Sequence, residues 1–128
     1  MEPLPLSVLP AGVRARILPG INGLDIHVLE AGYETPGRPA VLLLHGFPEL
    51  AYSWRKVLPA LAAAGYHAFA PDQRGYGLTS RPERIEDYDL EHLTGDIAGM
   101  MDALGIGTTA ELVQYAIRHG LVALDKIP

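Results

Sequence analysis

The sequence contains no cysteine among its 128 residues. A chain without thiols has no disulfide framework, no thiol nucleophile and no thiolate metal site. Its apolar runs reach only about five residues, whereas a membrane-spanning helix needs about 20. The N-terminus has an acid at Glu2 and no basic cluster, which is unlike a secretory signal peptide. We therefore expect a cytoplasmic protein without a membrane span.

Positive charge is also scarce, since 10 Lys and Arg face 15 Asp and Glu for a net charge of −5 at pH 7. This balance argues against nucleic acid and anionic membranes as partners. The 48% hydrophobic and 20% charged content is typical of a globular domain. We expect one domain over residues 1–128, with residues 1–12 as an irregular lead-in because Pro3, Pro5 and Pro10 remove backbone donors.

Three strands are predicted in the first third of the chain. Residues 13–18 (VRARIL) and 24–32 (LDIHVLEAG) alternate apolar and polar side chains, and Asn22-Gly23 lies between them. Asn-Gly favours the tight turn of an antiparallel hairpin. Residues 40–45 (AVLLLH) are apolar without alternation, which is typical of a strand that is covered on both faces.

Two helices are predicted by apolar residues at helical spacing. The first lies within 54–64, and Gly65 can end it in a left-handed cap. The second covers 90–104, with Asp89 as the N-cap and Gly105 at its end.

Between the two helices, residues 66–70 (YHAFA) predict a fourth strand and residues 72–88 a long polar loop. Strand–helix alternation after an initial hairpin indicates an α/β fold. We expect the antiparallel hairpin to be followed by a mostly parallel sheet with helices on both faces.

Three segments resemble the N-terminal part of an α/β-hydrolase, and specifically the epoxide hydrolase branch. They are HGFPE at 45–49 with YSW at 52–54, PDQRGYGLTS at 71–80, and YDLEHLTGDIAGMMDALGI at 88–106. The resemblance is continuous from about Val13 to Ile106. Pro48, Glu49 and Tyr76 favour epoxide hydrolases or the related haloacetate dehalogenases within the superfamily. The fold implied is a partial α/β-hydrolase fold.

The resemblance also implies roles for individual residues. His45, Gly46, Phe47 and Pro48 would form the oxyanion turn, in which the N–H at the Phe47 position faces the developing negative charge. The aromatic Trp54 is a candidate for the substrate pocket.

The second motif implies structural roles. Asp72, Arg74, Gly75 and Gly77 would shape a loop and brace its backbone rather than take part in chemistry.

After Gly105 the family pattern predicts a buried strand and a nucleophile elbow, Gly-x-Asp-x-Gly or Gly-x-Ser-x-Gly. Neither pattern occurs in this sequence. Residues 108–111 (TTAE) instead match the Thr-x-x-Glu pattern of a helix-capping box. An apolar helical stripe follows, and residues 121–125 (LVALD) predict a short strand. These segments resemble the helix and strand that come after the elbow. We therefore expect an internally deleted, truncated hydrolase in which no catalytic residue is identifiable.

The family reaction is hydrolysis of an epoxide or similar small apolar electrophile through an aspartyl ester, without a cofactor. We expect this chain alone to be inactive. One alternative is a non-catalytic partner that pairs with a full-length hydrolase, or with itself, through an open sheet edge. Another is a small esterase with an unrecognised nucleophile. The histidines form no metal-binding motif, and they are His27, His45, His67, His92 and His119.

Overall fold

The computed structural model of the protein describes residues 2–46 and 49–105. Its main elements are β1 (Val13–Ile21), β2 (Leu24–Ala31), β3 (Ala40–Leu42), α1 (Val57–Ala63), β4 (His67–Pro71) and α2 (Leu90–Leu104). Short 3₁₀ helices cover Leu6–Val8, Ala51–Trp54 and Ile85–Tyr88. Phe47 and Pro48, together with the helix and strand predicted after residue 107, lie outside the described residues.

The predicted hairpin is confirmed. Strands β1 and β2 pair antiparallel from Val13 opposite Ala31 to Ile21 opposite Leu24, with an irregularity between Leu18 and Ile21. Asn22 and Gly23 both have positive φ angles, of 51° and 81°. Two successive positive φ values are what a two-residue hairpin turn requires, so this local signal alone was sufficient to locate it.

The sheet is mixed, with the order β1-β2-β4-β3. Strand β4 pairs antiparallel with β2 and parallel with β3. Within the described residues, β3–β4 is the parallel pair of the sheet. The third strand is shorter than predicted, since its ladder covers Ala40–Leu42. One further bond continues it, because Leu43 N–H donates to Phe69 O at 2.7 Å.

Each face of the sheet carries its own apolar core, as expected for a sheet with helices on both sides. Helix α1 contributes Leu58 and Leu61 to one core, together with Leu29 of β2. Helix α2 contributes Met100 to the other core, which contains Val28 of β2. Because β2 is an inner strand that is covered on both faces, its polar residues His27 and Glu30 are buried, whereas Asp25 near its start is exposed.

Buried Glu30 of β2 is paired with two arginines and also contacts a histidine. It accepts hydrogen bonds from Arg14 Nε at 3.0 Å and Arg16 Nε at 2.9 Å, and its Oε2 lies 2.6 Å from His67 Nε2. Burial opposes ionisation of this carboxyl group, but the hydrogen bonds from these side chains outweigh burial and lower its pKa. The charged cluster thus lets an acid occupy a strand position inside the sheet.

Helix α2 begins and ends where its sequence predicts. Asp89 is the N-cap, and its carboxylate accepts a hydrogen bond from His92 N–H at 2.8 Å. Gly105 ends the helix in the left-handed conformation. Across the two described ranges, no helix combines the length and the hydropathy that a membrane crossing requires.

Met100 and Met101 provide a matched test of the α2 core. Met100 is 1% exposed and packs in the core, whereas Met101 is only partly buried at its edge. We expect Met100→Ala to lower the free energy of unfolding by about 2–5 kcal/mol, because it removes a buried side chain and leaves a cavity. Met101→Ala should cost less than half as much. Equal losses in denaturant unfolding would contradict this packing.

Candidate functional site

The candidate site lies where two neighbouring parallel strands end. His45 and Gly46 follow β3, and Asp72 and Gln73 follow β4. Since β3 and β4 are parallel, their carboxyl ends meet at one edge of the sheet, which is where open α/β sheets bind ligands.

The ring of His45 is held at both nitrogen atoms. Nδ1 donates to Gly46 O at 3.0 Å, and Nε2 accepts from Gln73 N–H at 3.0 Å. The two bonds together require the neutral tautomer with its proton on Nδ1. Gln73 Nε2 also donates to His45 O at 2.6 Å, and Tyr76 packs edge-on against the imidazole at 4.7 Å between ring centroids. Gln73 and Tyr76 therefore fix His45 and, with it, the end of β3. We call these contacts the His45 bracket.

A cavity of about 220 Å³ lies beside this bracketed strand end. Its described wall consists of His45, Gly46, Gln73, Arg74, Tyr76 and Leu93. This wall contains no serine, aspartate or glutamate, and both ring nitrogens of His45 are already hydrogen-bonded. The described side of the cavity can therefore position and polarise a ligand, but it holds no nucleophile with a base.

Asp72 connects the end of β4 to three other segments. Its Oδ2 accepts from His27 Nδ1 at 2.8 Å and from Leu78 N–H at 3.2 Å, while Oδ1 accepts from Ala51 N–H at 2.9 Å. Burial opposes ionisation of Asp72, but the bond from His27 and the two backbone donors hold its pKa below the usual value. Ala51 follows the His45–Gly46 turn closely in sequence, so the carboxylate fixes the exit of that turn.

His27 is itself fully engaged in this network. Its Nε2 accepts a hydrogen bond from Leu4 N–H at 3.2 Å, and its backbone N–H donates to Thr79 Oγ1 at 3.0 Å. Thr79 Oγ1 in turn donates to Asp72 O at 2.5 Å. The lead-in, which we expected to be irregular, is thus docked onto β2 through Leu4.

Arg74 has a different acid as its partner. Its guanidinium donates from Nε and from one terminal nitrogen to the two carboxylate oxygens of Asp96 in α2, both at 2.8 Å. This pairing raises the pKa of Arg74. Asp96 also accepts from Asn22 Nδ2 at 2.9 Å, so one buried carboxylate joins the loop, α2 and the hairpin turn. Asp72 and Arg74, although close in the motif, are not bonded to each other.

The two motif glycines lie against neighbouring side chains. A Cβ atom on Gly77 would lie 2.7 Å from Oδ1 of Asp72, and one on Gly75 would lie 2.9 Å from the hydroxyl of Tyr88. Both residues have positive φ angles, of 53° for Gly77 and 81° for Gly75. A side chain at Gly77 would displace the carboxylate that holds the turn.

The remaining predicted site residues are not brought into this arrangement. Trp54 is buried in the core on the α1 side of the sheet and does not line the cavity beside His45. Phe47 and Pro48 of the expected oxyanion turn lie outside the described residues. The described residues of that turn are His45 and Gly46.

The sequence interpretation missed His27, Gln73 and Asp96 as parts of the site. A local signal existed for Asp96, because it falls on the apolar stripe of α2 between Leu93 and Met100, where an acid needs a buried partner. Gln73 could have been found from its position just beyond a parallel strand. His27 carried no such signal, because its pairing depends on the register of β2 with β4.

No metal centre is indicated in the described part of the chain. No three of its histidine and acidic side chains are grouped closely enough to hold a metal ion.

Comparison with known proteins places these features in context. A family model described as alpha/beta hydrolase fold matches residues 39–113, which is more than half of the chain. Epoxide hydrolase A of Mycobacterium tuberculosis is 62% identical over 84 residues, which cover 66% of this chain and 26% of that protein. An epoxide hydrolase of Caballeronia sordidicola is 48% identical over 87 residues, covering 68% and 25% respectively. The chain thus spans about a quarter of the length of these relatives.

Solved structures agree with the sequence relatives. An epoxide hydrolase of Vigna radiata superposes with a TM-score of 0.68 at 47% identity, over 76% of this chain and 30% of that one. Epoxide Hydrolase A of Mycobacterium thermoresistibile gives a TM-score of 0.69 at 43% identity, over 84% and 35%. The similarity therefore includes both fold and sequence.

Gly77→Ala tests the contact between the loop and Asp72. We expect it to destabilise the protein by more than Gly20→Ala, because Gly20 has a similar φ of 67° but no atom within 4 Å of the place that a Cβ would occupy. Gly20→Ala should cost about 1–2 kcal/mol from backbone strain alone. Equal unfolding free energies for the two variants would show that the close approach to Asp72 has no energetic effect.

Asp72→Asn tests the charge of the network through pH. Since the folded pKa of Asp72 is lowered, its stabilisation is complete above the unfolded value of 3.8 and is lost as pH falls through the folded pKa. We expect the variant to be about 2–4 kcal/mol less stable at neutral pH. The difference from the unmodified chain should narrow in unfolding curves below pH 3.8.

Asp102→Asn is the control, because Asp102 is an exposed aspartate of α2. It should leave the pH dependence of stability nearly unchanged. A gap between Asp72→Asn and the unmodified chain that stays constant into acid would contradict the ionised network.

Proposed function

The chain belongs to the α/β-hydrolase fold family, and from that premise we propose that the His45–Gly46 strand end is the oxyanion side of an epoxide hydrolase active site. The observation that carries the proposal is the bracketing of His45 by Gln73 and Tyr76 beside a cavity of about 220 Å³. The names of the most similar relatives support the same reaction class.

In this proposal the substrate is a small apolar epoxide. An aspartate attacks an epoxide carbon, the ring C–O bond breaks, and an alkyl-enzyme ester forms while the ring oxygen takes a proton from a general acid and becomes a hydroxyl group. A water molecule activated by a histidine then adds to the ester carbonyl and gives a tetrahedral oxyanion. Backbone N–H donors of the turn after β3 stabilise that charge if the turn is rigid before reaction.

The described residues would supply this rigidity. Gln73 holds His45 from β4 by two hydrogen bonds, and Asp72 holds Ala51 beyond the turn. The turn is therefore fixed on its entry side and on its exit side. Electrostatic stabilisation of a transition state depends on donors that need not reorganise during the reaction.

The nucleophile is not provided by a recognisable elbow in these 128 residues, because Gly-x-Asp-x-Gly does not occur. We propose that the chain by itself does not turn over epoxides. It should form the diol from an aryl epoxide no faster than buffer, and it should not be labelled by a fluorophosphonate probe. Labelling would instead support an esterase with another nucleophile.

A chimera tests the site without requiring the chain to be complete. The segment of this chain that aligns with Epoxide hydrolase A of Mycobacterium tuberculosis would replace its counterpart in that protein, which is supported by 62% identity. We expect the chimera to hydrolyse epoxides. The hydrogen bonds that fix the turn after β3 are formed among residues of this chain itself, from Gln73 to His45 and from Ala51 to Asp72. A folded but inactive chimera would contradict the proposal.

Gln73→Ala in the chimera tests the bracket. We expect kcat to fall by about 10- to 100-fold, since loosening a strand end displaces the donors of the turn, with little change in KM. Glu83→Ala, an exposed acid in the loop, is the control. Thermal unfolding of both variants separates a positioning effect from simple destabilisation.

A second candidate function is binding to a full-length hydrolase. It rests on one observation, that β3 is the terminal strand in the described sheet order. Terminal strands can pair with another chain through their backbone groups. Co-purification of the chain with an intact homologue would favour this function if it is lost when Ala40→Pro removes a backbone donor from the open side of β3. Ala40 is on that side because the alternate residues Pro39 and Leu43 bond to β4.

A further inference from the structure

A second cavity lies on the other side of the loop that follows β4. It has a volume of about 260 Å³. Its wall comprises Leu4 of the lead-in, Leu50 and Tyr52 after the turn, Gly77 and Leu78 of the loop, and His27 with Asp72 at the polar end. It shares no lining residue with the cavity beside His45.

The polar side chains of this wall already have partners. His27 is hydrogen-bonded at both ring nitrogens, and Asp72 accepts from three donors. The hydroxyl of Tyr52 donates to Val8 O at 3.2 Å. A charged or strongly polar ligand would lose its hydration without gaining these groups as partners, which costs free energy. The wall therefore disfavours charged ligands.

The apolar side chains at the mouth of the cavity are partly exposed. Leu50, Tyr52 and Leu78 retain 41%, 36% and 38% of their accessible surface. An occupant that covers these side chains would remove apolar surface from water, and this stabilises the bound state by about 25 cal/mol per Å². A ligand can thus enter at the mouth, and the burial of its apolar surface there favours binding.

The volume sets the size of the occupant. An apolar cavity of about 150 Å³ lined by aliphatic and aromatic side chains binds benzene. The present cavity is larger, at about 260 Å³, and can hold a substituted aromatic ring or a branched aliphatic molecule. We propose that it is a second binding site, for small uncharged apolar molecules, separate from the site beside His45.

Four backbone amides report on the two cavities separately. The N–H groups of Leu4, Ala51 and Leu78 donate to His27 or Asp72 at the polar end of the second cavity. The N–H group of Gln73 donates to His45 in the first. Amide chemical shifts in a ¹⁵N-labelled sample of the full chain therefore show where a probe binds.

The test is a titration with toluene and, separately, with benzoate, which has the same ring and a negative charge. Toluene should shift the amides of Leu4, Ala51 and Leu78 to a saturating limit and leave that of Gln73 in place. Benzoate should cause no saturable shift. Equal responses to both probes, or a toluene response confined to Gln73, would overturn the proposal.

Leu78→Trp is the variant that fills the cavity, and Ile85→Trp is its matched control at an exposed position outside the wall. Leu78→Trp should weaken toluene binding by about tenfold or more, because the added ring occupies the site. Ile85→Trp should leave the affinity unchanged. Equal affinities in the two variants would refute the assignment, and if Leu78→Trp fails to fold, the comparison of toluene with benzoate on the unmodified chain decides.

A second copy of the chain is the competing occupant. In that case the amides of Leu4, Ala51 and Leu78 would shift with protein concentration when no probe is present, and toluene would reverse the shifts. Such a result would replace the small-molecule site by a self-association surface and would overturn the proposal.

Discussion

The carboxylate of Asp72 holds together three segments that are far apart in the sequence. His27 lies 45 residues before it and Ala51 lies 21 residues before it, and both donate to the same buried group. Leu78 closes the loop onto it from the other direction. A buried carboxylate is stable only when its oxygens are supplied with donors, so the fold around the strand ends is built to satisfy this one group. The position of Ala51 follows from that requirement.

Local patterns in the sequence predicted much of the fold. The bounds of α2 follow from the Asp89 cap and from Gly105, and the hairpin follows from Asn22-Gly23, since each signal acts within a few residues. The motifs also identified the superfamily, which the family match confirms. The partners of the buried polar groups were not predictable in the same way. His27 meets Asp72, and Arg74 meets Asp96, only after β2, β4 and α2 have taken their places, and single-sequence periodicity does not contain that register.

The bracket on His45 is independent of any nucleophile. Gln73, Tyr76 and the neutral imidazole form it between the ends of two adjacent strands, wholly within the described residues. Rigid placement of donors before reaction is the main electrostatic contribution of an oxyanion site. The described residues thus fix the end of β3 through contacts that involve no nucleophile. The geometry of the His45 bracket follows from the pairing of β3 with β4. Any reaction there requires a nucleophile from outside the bracket.

The loop after β4 forms a common wall between the two cavities. Gln73, Arg74 and Tyr76 line one cavity, whereas Asp72, Gly77 and Leu78 line the other. The loop is thin, because Gly77 packs directly against the carboxylate of Asp72, and it is anchored on both sides by buried acids. The loop is therefore rigid, because close-packed and hydrogen-bonded groups resist small displacements. We therefore expect the wall to keep the two cavities separate, so that an occupant beside Asp72 leaves the hydrogen bond from Gln73 N–H to His45 in place.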